Sequence, residues 1–416
     1  MPKLLYLDTA RLGRMTPRAR RASIDFSRFA SEHGGSLYLG DFLRHGFRAW
    51  PHGFQGEYRG LEDWDGVARL KEKLIELAGA KQESEVLLSA RSATLMKFAS
   101  RLLAGPCRNV LTTDLTWPVY DRIFRREQRT SACRITTVPL RRAIFRQRLT
   151  EAELVELLAR TFQQETCDGL FLPLVDCLGI HLPLPAIVER IRSENELRFV
   201  VVDGAQAIQH VSLGLAGDYC DFLLAGTHKW LGAYQPMGLG FFGHPRSSGH
   251  VHDSLLRWTN RGEIDDALLS FGGELQSGQS HPFGETVAVS PMLVGNAAVV
   301  DALDASVHGK GDGIQRNRGL IVETATRHGW KHVSPAPTFA SRISVFQSSR
   351  KRDREETPDC LRRRFLVNDI VVSAYDKGII RISIPTPPIS AEEAKSLDTA
   401  FSTRRSGPIV DSLFTD

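Results

Sequence analysis

The stretch that decides the fold is RFVVVDGAQAIQH (residues 198–210), followed after ten residues by DFLLAGTHKWLG (residues 221–232). Each piece opens on an apolar run that reads as a buried strand and closes on polar side chains. Those are Asp203 and Gln206 in the first piece and Thr227, His228 and Lys229 in the second. Asp203 and Lys229 therefore fall at the carboxyl ends of strands, where an open α/β sheet places its ligands. Their spacing leaves room for a helix and a return strand, so adjacent strands bring both into one crevice.

Outward from this centre the same alternation continues. Val86–Leu88, Asn109–Thr112, Arg134–Val138 and Gly169–Leu172 read as further buried strands. Helical patterns separate them at Ala93–Leu103, Pro118–Gln128, Glu151–Phe162 and Leu184–Ser193. Strand and helix alternating at this spacing predict parallel βαβ units and an α/β fold with a mostly parallel central sheet. Leu239–Phe242 adds another strand. Residues 244–286, rich in glycine, read as loop. A long helical pattern then runs from Pro291 to about Val307. Strand-like pieces follow at Ala340–Phe346, Ile370–Val372 and Ile379–Ser383, with a last helix opened by the capping box Ser390-Ala391-Glu392-Glu393. Strands and helices no longer alternate there, which predicts a smaller α+β C-terminal domain.

Composition sets the outer bounds. The chain has 416 residues, 42% hydrophobic and 24% charged, the balance of a globular protein large enough for two or three domains. Lys+Arg 53 against Asp+Glu 48 leaves +5, too weak a surplus to imply nucleic acid. The densest basic stretch, Ser349–Arg364, also holds Asp353, Glu355, Glu356 and Asp359, and reads as a solvated helix face or an anion patch. Six scattered cysteines without a CxxC pair argue against a zinc ribbon and a disulfide framework, and no metal site is expected. No apolar run reaches the roughly 18 residues of a membrane helix. Asp8 and Arg11 interrupt any signal-like segment, so a soluble, cytoplasmic protein is expected.

A lysine at a strand end has a chemical use. A partly desolvated ammonium has a lowered pKa, and its neutral amine forms a Schiff base with an aldehyde. The aldehyde cofactor with that requirement is pyridoxal phosphate. An aspartate paired with its pyridine nitrogen keeps the ring an electron sink, a role Asp203 fits. The alternative is a structural Asp203–Lys229 ion pair.

VVDGAQAIQH, AGTHKWLG and, near the N-terminus, YLDTARLG resemble the class V aminotransferase superfamily of fold type I pyridoxal-phosphate enzymes. That family includes aminotransferases, cysteine desulfurases, kynureninases and isopenicillin-N-epimerase-like proteins. The resemblance is firmest over residues 198–242, and the order of landmarks agrees along nearly the whole chain. It implies an N-terminal arm (1–35) packing on the small domain, a large cofactor-binding domain (36–288) and a small domain (289–416).

It also implies roles. Lys229 matches the Schiff-base lysine and Asp203 the partner of the pyridine nitrogen; with His228 they form the catalytic group. Gln206 matches the glutamine that bonds the phenolic oxygen. His228 and Thr227 match positions that contact the phosphate or shape the lysine's approach, and Gly226 stands where the family often has serine. Ser92, Ala93 and Thr94, in LLSARSATLMKFA, match the strand-to-helix turn that binds the phosphate; the same letters also make a plain N-cap. Trp117, in NVLTTDLTWPVY, matches the aromatic that stacks on the ring, or is a core residue. Asp176, in LVDCLG, falls where many members have asparagine, and a phenolate repels it unless it is protonated or bonded to another donor. Arg381, in GIIRISIP, matches the arginine that binds the substrate α-carboxylate, or is a surface strand arginine. Thr286, in HPFGETVAV, matches a residue given to the neighbouring subunit's phosphate site. Gln276, Gln279 and His281 are candidates for substrate contact or a dimer loop.

The expected activity is an aminotransferase on an amino acid, in a homodimer, with a β-lyase or an epimerase as alternatives and a non-catalytic binding relative as a further one. The segment before Arg381, VNDIVVSAYDKGII, lacks the cysteine that a thiol-dependent desulfurase needs.

Overall fold

The computed structural model describes residues 4–34, 39–49, 56–146, 149–277, 286–307 and 313–402. It divides into two compact units. One gathers residues 1–11, 309–334 and 340–416; the other holds residues 12–308 and 335–339. The first thirty-five residues are thus shared between the units. A two-residue strand, β1 (Leu5–Tyr6), belongs to the first unit, while the helix Pro17–His33 packs on the helix Ser290–Val307 in the second. Thr16 caps that first helix by accepting the Ala19 amide at 3.2 Å, with Pro17 at its first position. The Arg18 amide in turn donates to Asp301 at 3.1 Å.

The larger unit is built on seven strands: β2 (Glu85–Ser89), β3 (Asn109–Thr113), β4 (Arg134–Val138), β5 (Gly169–Pro173), β6 (Phe199–Asp203), β7 (Phe222–Gly226) and β8 (Gly238–Phe242). Their order across the sheet is β2-β8-β7-β6-β5-β3-β4. Only β8 runs antiparallel to its neighbours, so the sheet is mostly parallel, as the alternating pattern predicts. Every residue of β3, β5, β6, β7 and β8 is buried, which is why FVVVD and FLLAG read as unbroken apolar runs. The helix Ser92–Ala104 lays Leu95, Met96, Phe98, Ala99, Leu102 and Leu103 into a core shared with Phe124, Phe171, Phe199 and Phe222. Each such large side chain contributes about 1.5–3 kcal/mol on burial.

Residues 244–277 are not as rich in loop as their glycines suggest. They carry the helices Ser248–Asn260 and Ala267–Ser277. A Cβ at Gly249, Gly272 or Gly273 would meet nothing within 4 Å, so these glycines cost propensity but obstruct no packing. Asp266 caps the second helix through the Leu269 amide at 3.0 Å. It also accepts from Ser89 Oγ at 2.5 Å and the Ala90 amide, tying the end of β2 to that helix. Gln279 and His281 lie outside the described residues.

The smaller unit has a four-stranded antiparallel sheet of β9 (Trp330–Val333), β10 (Ile343–Ser348), β12 (Ser373–Tyr375) and β13 (Ile379–Ser383), in the order β12-β13-β10-β9. The short strand β11 (Ile370–Val371) pairs in parallel with β1. Ile321, Trp330, Phe346, Phe365, Ile380, Ile382 and Phe401 form its core. The capping box at Ser390 is present in both directions, Ser390 amide to Glu393 at 2.8 Å and Glu393 amide to Ser390 Oγ at 3.2 Å. Within the basic stretch, the Arg364 side chain is only 8% exposed and pairs with Asp353 at 2.8 Å rather than being solvated. Among the described residues, no helix is long and apolar enough to cross a membrane.

Candidate active site

Because β2, β3, β5, β6 and β7 run the same way, the chain leaves each of them at one edge of the sheet. That edge gathers Ser92–Thr94 after β2, Trp117 after β3, Asp176 after β5, Asp203 and Gln206 at the end of β6, and Thr227–Trp230 after β7. Side chains from five segments of sequence thus share one face of the larger unit.

Asp203 is the last residue of β6 and is 5% exposed. Its Oδ1 accepts the Ala205 amide at 2.9 Å. Burial pushes its pKa up to about 6, against the Ala205 bond and the positive charge of Lys229, which pull it down. Lys229 is half-buried three residues past the end of β7. His228, beside it, has its pKa lowered to about 4 by burial and then by the Lys229 charge, so it is neutral at physiological pH. Its Nδ1 is buried with no hydrogen-bond partner among the described residues.

The loop that carries the lysine is held from two sides. Thr227 is fully buried, and its hydroxyl donates to the Gln235 carbonyl at 2.9 Å while accepting the Met237 amide at 3.1 Å. That hydroxyl closes the turn into β8. From the other side the Gly13 amide donates to the His228 carbonyl at 2.7 Å and the Thr16 amide to the Gly232 carbonyl at 2.9 Å. A Cβ on Gly13 would sit 1.8 Å from the Lys229 carbonyl oxygen, so only glycine permits this approach.

The turn after β2 ends on Arg91, and the helix beginning at Ser92 has no side-chain cap and no acidic residue in its first turn. Gly238, opening β8, lets that strand lie against it: a Cβ there would be 2.8 Å from the Ser92 nitrogen. Trp117 precedes the helix Pro118–Gln128 and is 44% exposed, so it is not a core residue. Its ring is braced by the edge of Tyr120, centroids 5.1 Å apart at 75°.

Tyr120 is a site residue that the sequence reading missed. It is buried, and burial together with the Asp203 charge drives its phenol pKa up. It therefore links the Trp117 ring, which it braces, with the neighbourhood of Asp203, whose charge it feels. The available signal was its place three residues after Trp117, on the same helical face.

Asp176 is 2% exposed, with Oδ1 accepting the Leu178 and Ile180 amides at 2.9 and 2.8 Å. Its Oδ2 has no hydrogen-bond partner among the described residues, and Arg141 Nε stands 4.0 Å away. Burial raises its pKa to about 6. Backbone donors therefore hold this acid, one of the conditions under which it is tolerated near an anionic oxygen.

Two predicted residues fall elsewhere. Thr286 is exposed. Arg381 lies on β13 of the smaller unit and is 5% exposed, which excludes a surface strand arginine. It donates to Ser373 Oγ at 3.1 Å and stands 3.6 Å from the Asp8 carboxylate.

Comparison with known proteins agrees with this architecture. The family model described as aminotransferase class V matches residues 148–247, and that of aminotransferase class I and II matches residues 37–143. Isopenicillin N epimerase of Amycolatopsis lactamdurans is 28% identical over 246 residues, 56% of this chain and 58% of the epimerase. This chain thus aligns with little more than half the length of that relative. Among solved structures, a lysine-to-alanine variant of C-DES with glycine covalently linked to its pyridoxal-phosphate cofactor superposes with a TM-score of 0.69 at 14% identity, over 96% of this chain and 97% of that one. Alanine–glyoxylate aminotransferase from Nostoc sp. superposes with a TM-score of 0.66 at 14% identity, over 97% and 95%. These structural matches concern the fold.

Proposed function

We propose that the chain is a class V aminotransferase-like, pyridoxal-phosphate-dependent protein, and that it is an aminotransferase acting on an amino acid through Lys229; the matched family models and the epimerase relative support this reading. The observation that carries the reading is a buried, high-pKa carboxyl, Asp203, coupled to the charge of Lys229 at the carboxyl edge of a parallel sheet.

The residues at that edge fit the cofactor. An acid as buried as Asp203 is completed by a cationic ring nitrogen. The uncapped helix start at Ser92, Ala93 and Thr94 offers backbone N–H groups to a phosphate. His228 Nδ1 is buried and lacks a partner among the described residues. Trp117 presents a braced, half-exposed ring for stacking. On this reading Gln206 and Asp176 serve the phenolic oxygen, and Thr227 shapes the loop rather than lending its hydroxyl. Bound there, pyridoxal phosphate supplies an electron sink for charge developing at the substrate Cα.

The chain's own groups do the rest. Lys229 Nζ holds the cofactor and then takes the proton from the substrate Cα as general base. Neutral His228 adds no competing charge beside it. Arg381 binds the α-carboxylate, and Thr286 comes from a second copy in a homodimer. A second reading, epimerisation, is supported by the epimerase relative: the same base serves if the proton returns to the opposite face of Cα.

Two experiments test this. Borohydride reduction of the holoenzyme is expected to fix the cofactor's mass on the peptide containing Lys229, and a label on any other lysine contradicts the reading. Incubation with single amino acids is then expected to give the keto acid and the amine form of the cofactor. Ammonia release assigns a lyase instead, and appearance of the D-enantiomer an epimerase.

A further inference from the structure

We propose that Trp230 is a positioning residue that fixes which end of the Gln206 amide a bound ligand meets. The inference rests on the functional reading above and deepens it.

An amide's oxygen and nitrogen are nearly the same size, so a glutamine side chain turns over freely unless a neighbour discriminates between them. Trp230 discriminates. An indole N–H only donates, and Trp230 Nε1 lies 2.8 Å from Gln206 Oε1. The indole is itself clamped: it stacks on His210 with ring centroids 4.0 Å apart and planes 17° from parallel. His210 Nδ1 closes the loop at 2.6 Å from the Gln206 backbone carbonyl. A carbonyl only accepts, so Nδ1 carries the proton there. Gln206 and His210, which follow β6, and Trp230, the residue after Lys229, thus close one ring of contacts. Turning the amide over would set its NH2 against the indole N–H, two donors face to face. With Oε1 held by the indole, the NH2, a donor, is the end of the Gln206 amide turned away from Trp230, and a donor is what an anionic phenolic oxygen requires. With the carbonyl outward the same residue would repel it.

The test uses the holoenzyme, reading the pH at which the bound cofactor's visible absorbance titrates and its rate of release. W230F keeps the stacking on His210 and removes only the donor. It is expected to raise the titration by roughly half to one pH unit, because a donor to an anionic oxygen holds that oxygen's pKa down. In a Gln206→Ala background W230F is expected to add nothing further, since Trp230 acts through Gln206. Gln206→Glu keeps the acceptor for the indole but replaces the NH2 with oxygen, and is expected to shift the titration at least as far. Equal W230F shifts in both backgrounds, or Gln206→Glu titrating like the wild type, would overturn the proposal. Should W230F fail to fold, Trp230→Met, which also lacks the donor, is read in the same two backgrounds with the same expected outcomes. Wild-type protein that takes up no cofactor would sink the functional reading and this inference together; uptake with additive variants sinks this one alone.

Discussion

Asp203 is a poor residue for stability where it stands. Its pKa is raised from 3.8 to about 6, so the folded chain holds a proton that the unfolded chain has already released. Its contribution to stability is full below about pH 4 and is lost as pH rises through about 6. Asp203→Asn should therefore come close to the wild-type apo-protein in denaturant titrations at pH 4 and exceed it by about 3 kcal/mol at pH 8. The same variant should bind pyridoxal phosphate about a hundredfold more weakly, because a charged partner is gone. Equal stability at both pH values, or unchanged affinity, would refute the role. Lys229 and Asp203 were legible because a polar side chain ending an apolar run has few structural reasons to be there. Tyr120, Trp230 and His210 were not, because a one-dimensional pattern does not say which rings will touch. The exposure of Trp117, which sets aside its core reading, and the hydrogen bonds of Thr227 were likewise beyond the sequence.

At the scale of elements, the reactive loop after β7 is braced by the extended segment around Gly13. Gly13→Ala forces a methyl group into the Lys229 carbonyl, 1.8 Å away, and should cost about 2–4 kcal/mol together with loss of cofactor binding. Gly34→Ala is the control. Its φ of 60° makes alanine strained, but no atom lies within 4 Å, so about 1 kcal/mol should be lost and cofactor binding kept. Thermal melts and cofactor titration of the two variants separate these outcomes, and equal cofactor affinity in both would remove the bracing role. The strands of the central sheet were readable almost to the residue, since burial on both faces leaves a continuous apolar signature. The helices Ser248–Asn260 and Ala267–Ser277 were hidden by glycines whose local preference is overridden by packing and by the Asp266 cap.

At the scale of the whole molecule, two cores stabilise two units, and the chain visits the smaller one at both of its ends. The homodimer that the family resemblance implies is checked by sedimentation equilibrium, where twice the chain mass is the expected result; a cofactor-loaded monomer would contradict it. The α+β character of the later residues was visible in the loss of alternation. The parallel pairing of Leu5 with Ile370 was not, since a two-residue strand carries no periodicity. That pairing has a consequence for biosynthesis. At about 5–20 residues per second a ribosome needs roughly 20–70 seconds to travel from one partner to the other. Leu5 and Leu7, which end up buried, meanwhile emerge into solvent with their mates still untranslated. Completion of the smaller unit is thus necessarily a late event, and nascent chains stalled before residue 370 should keep this N-terminal segment open to protease long after the central sheet has become resistant.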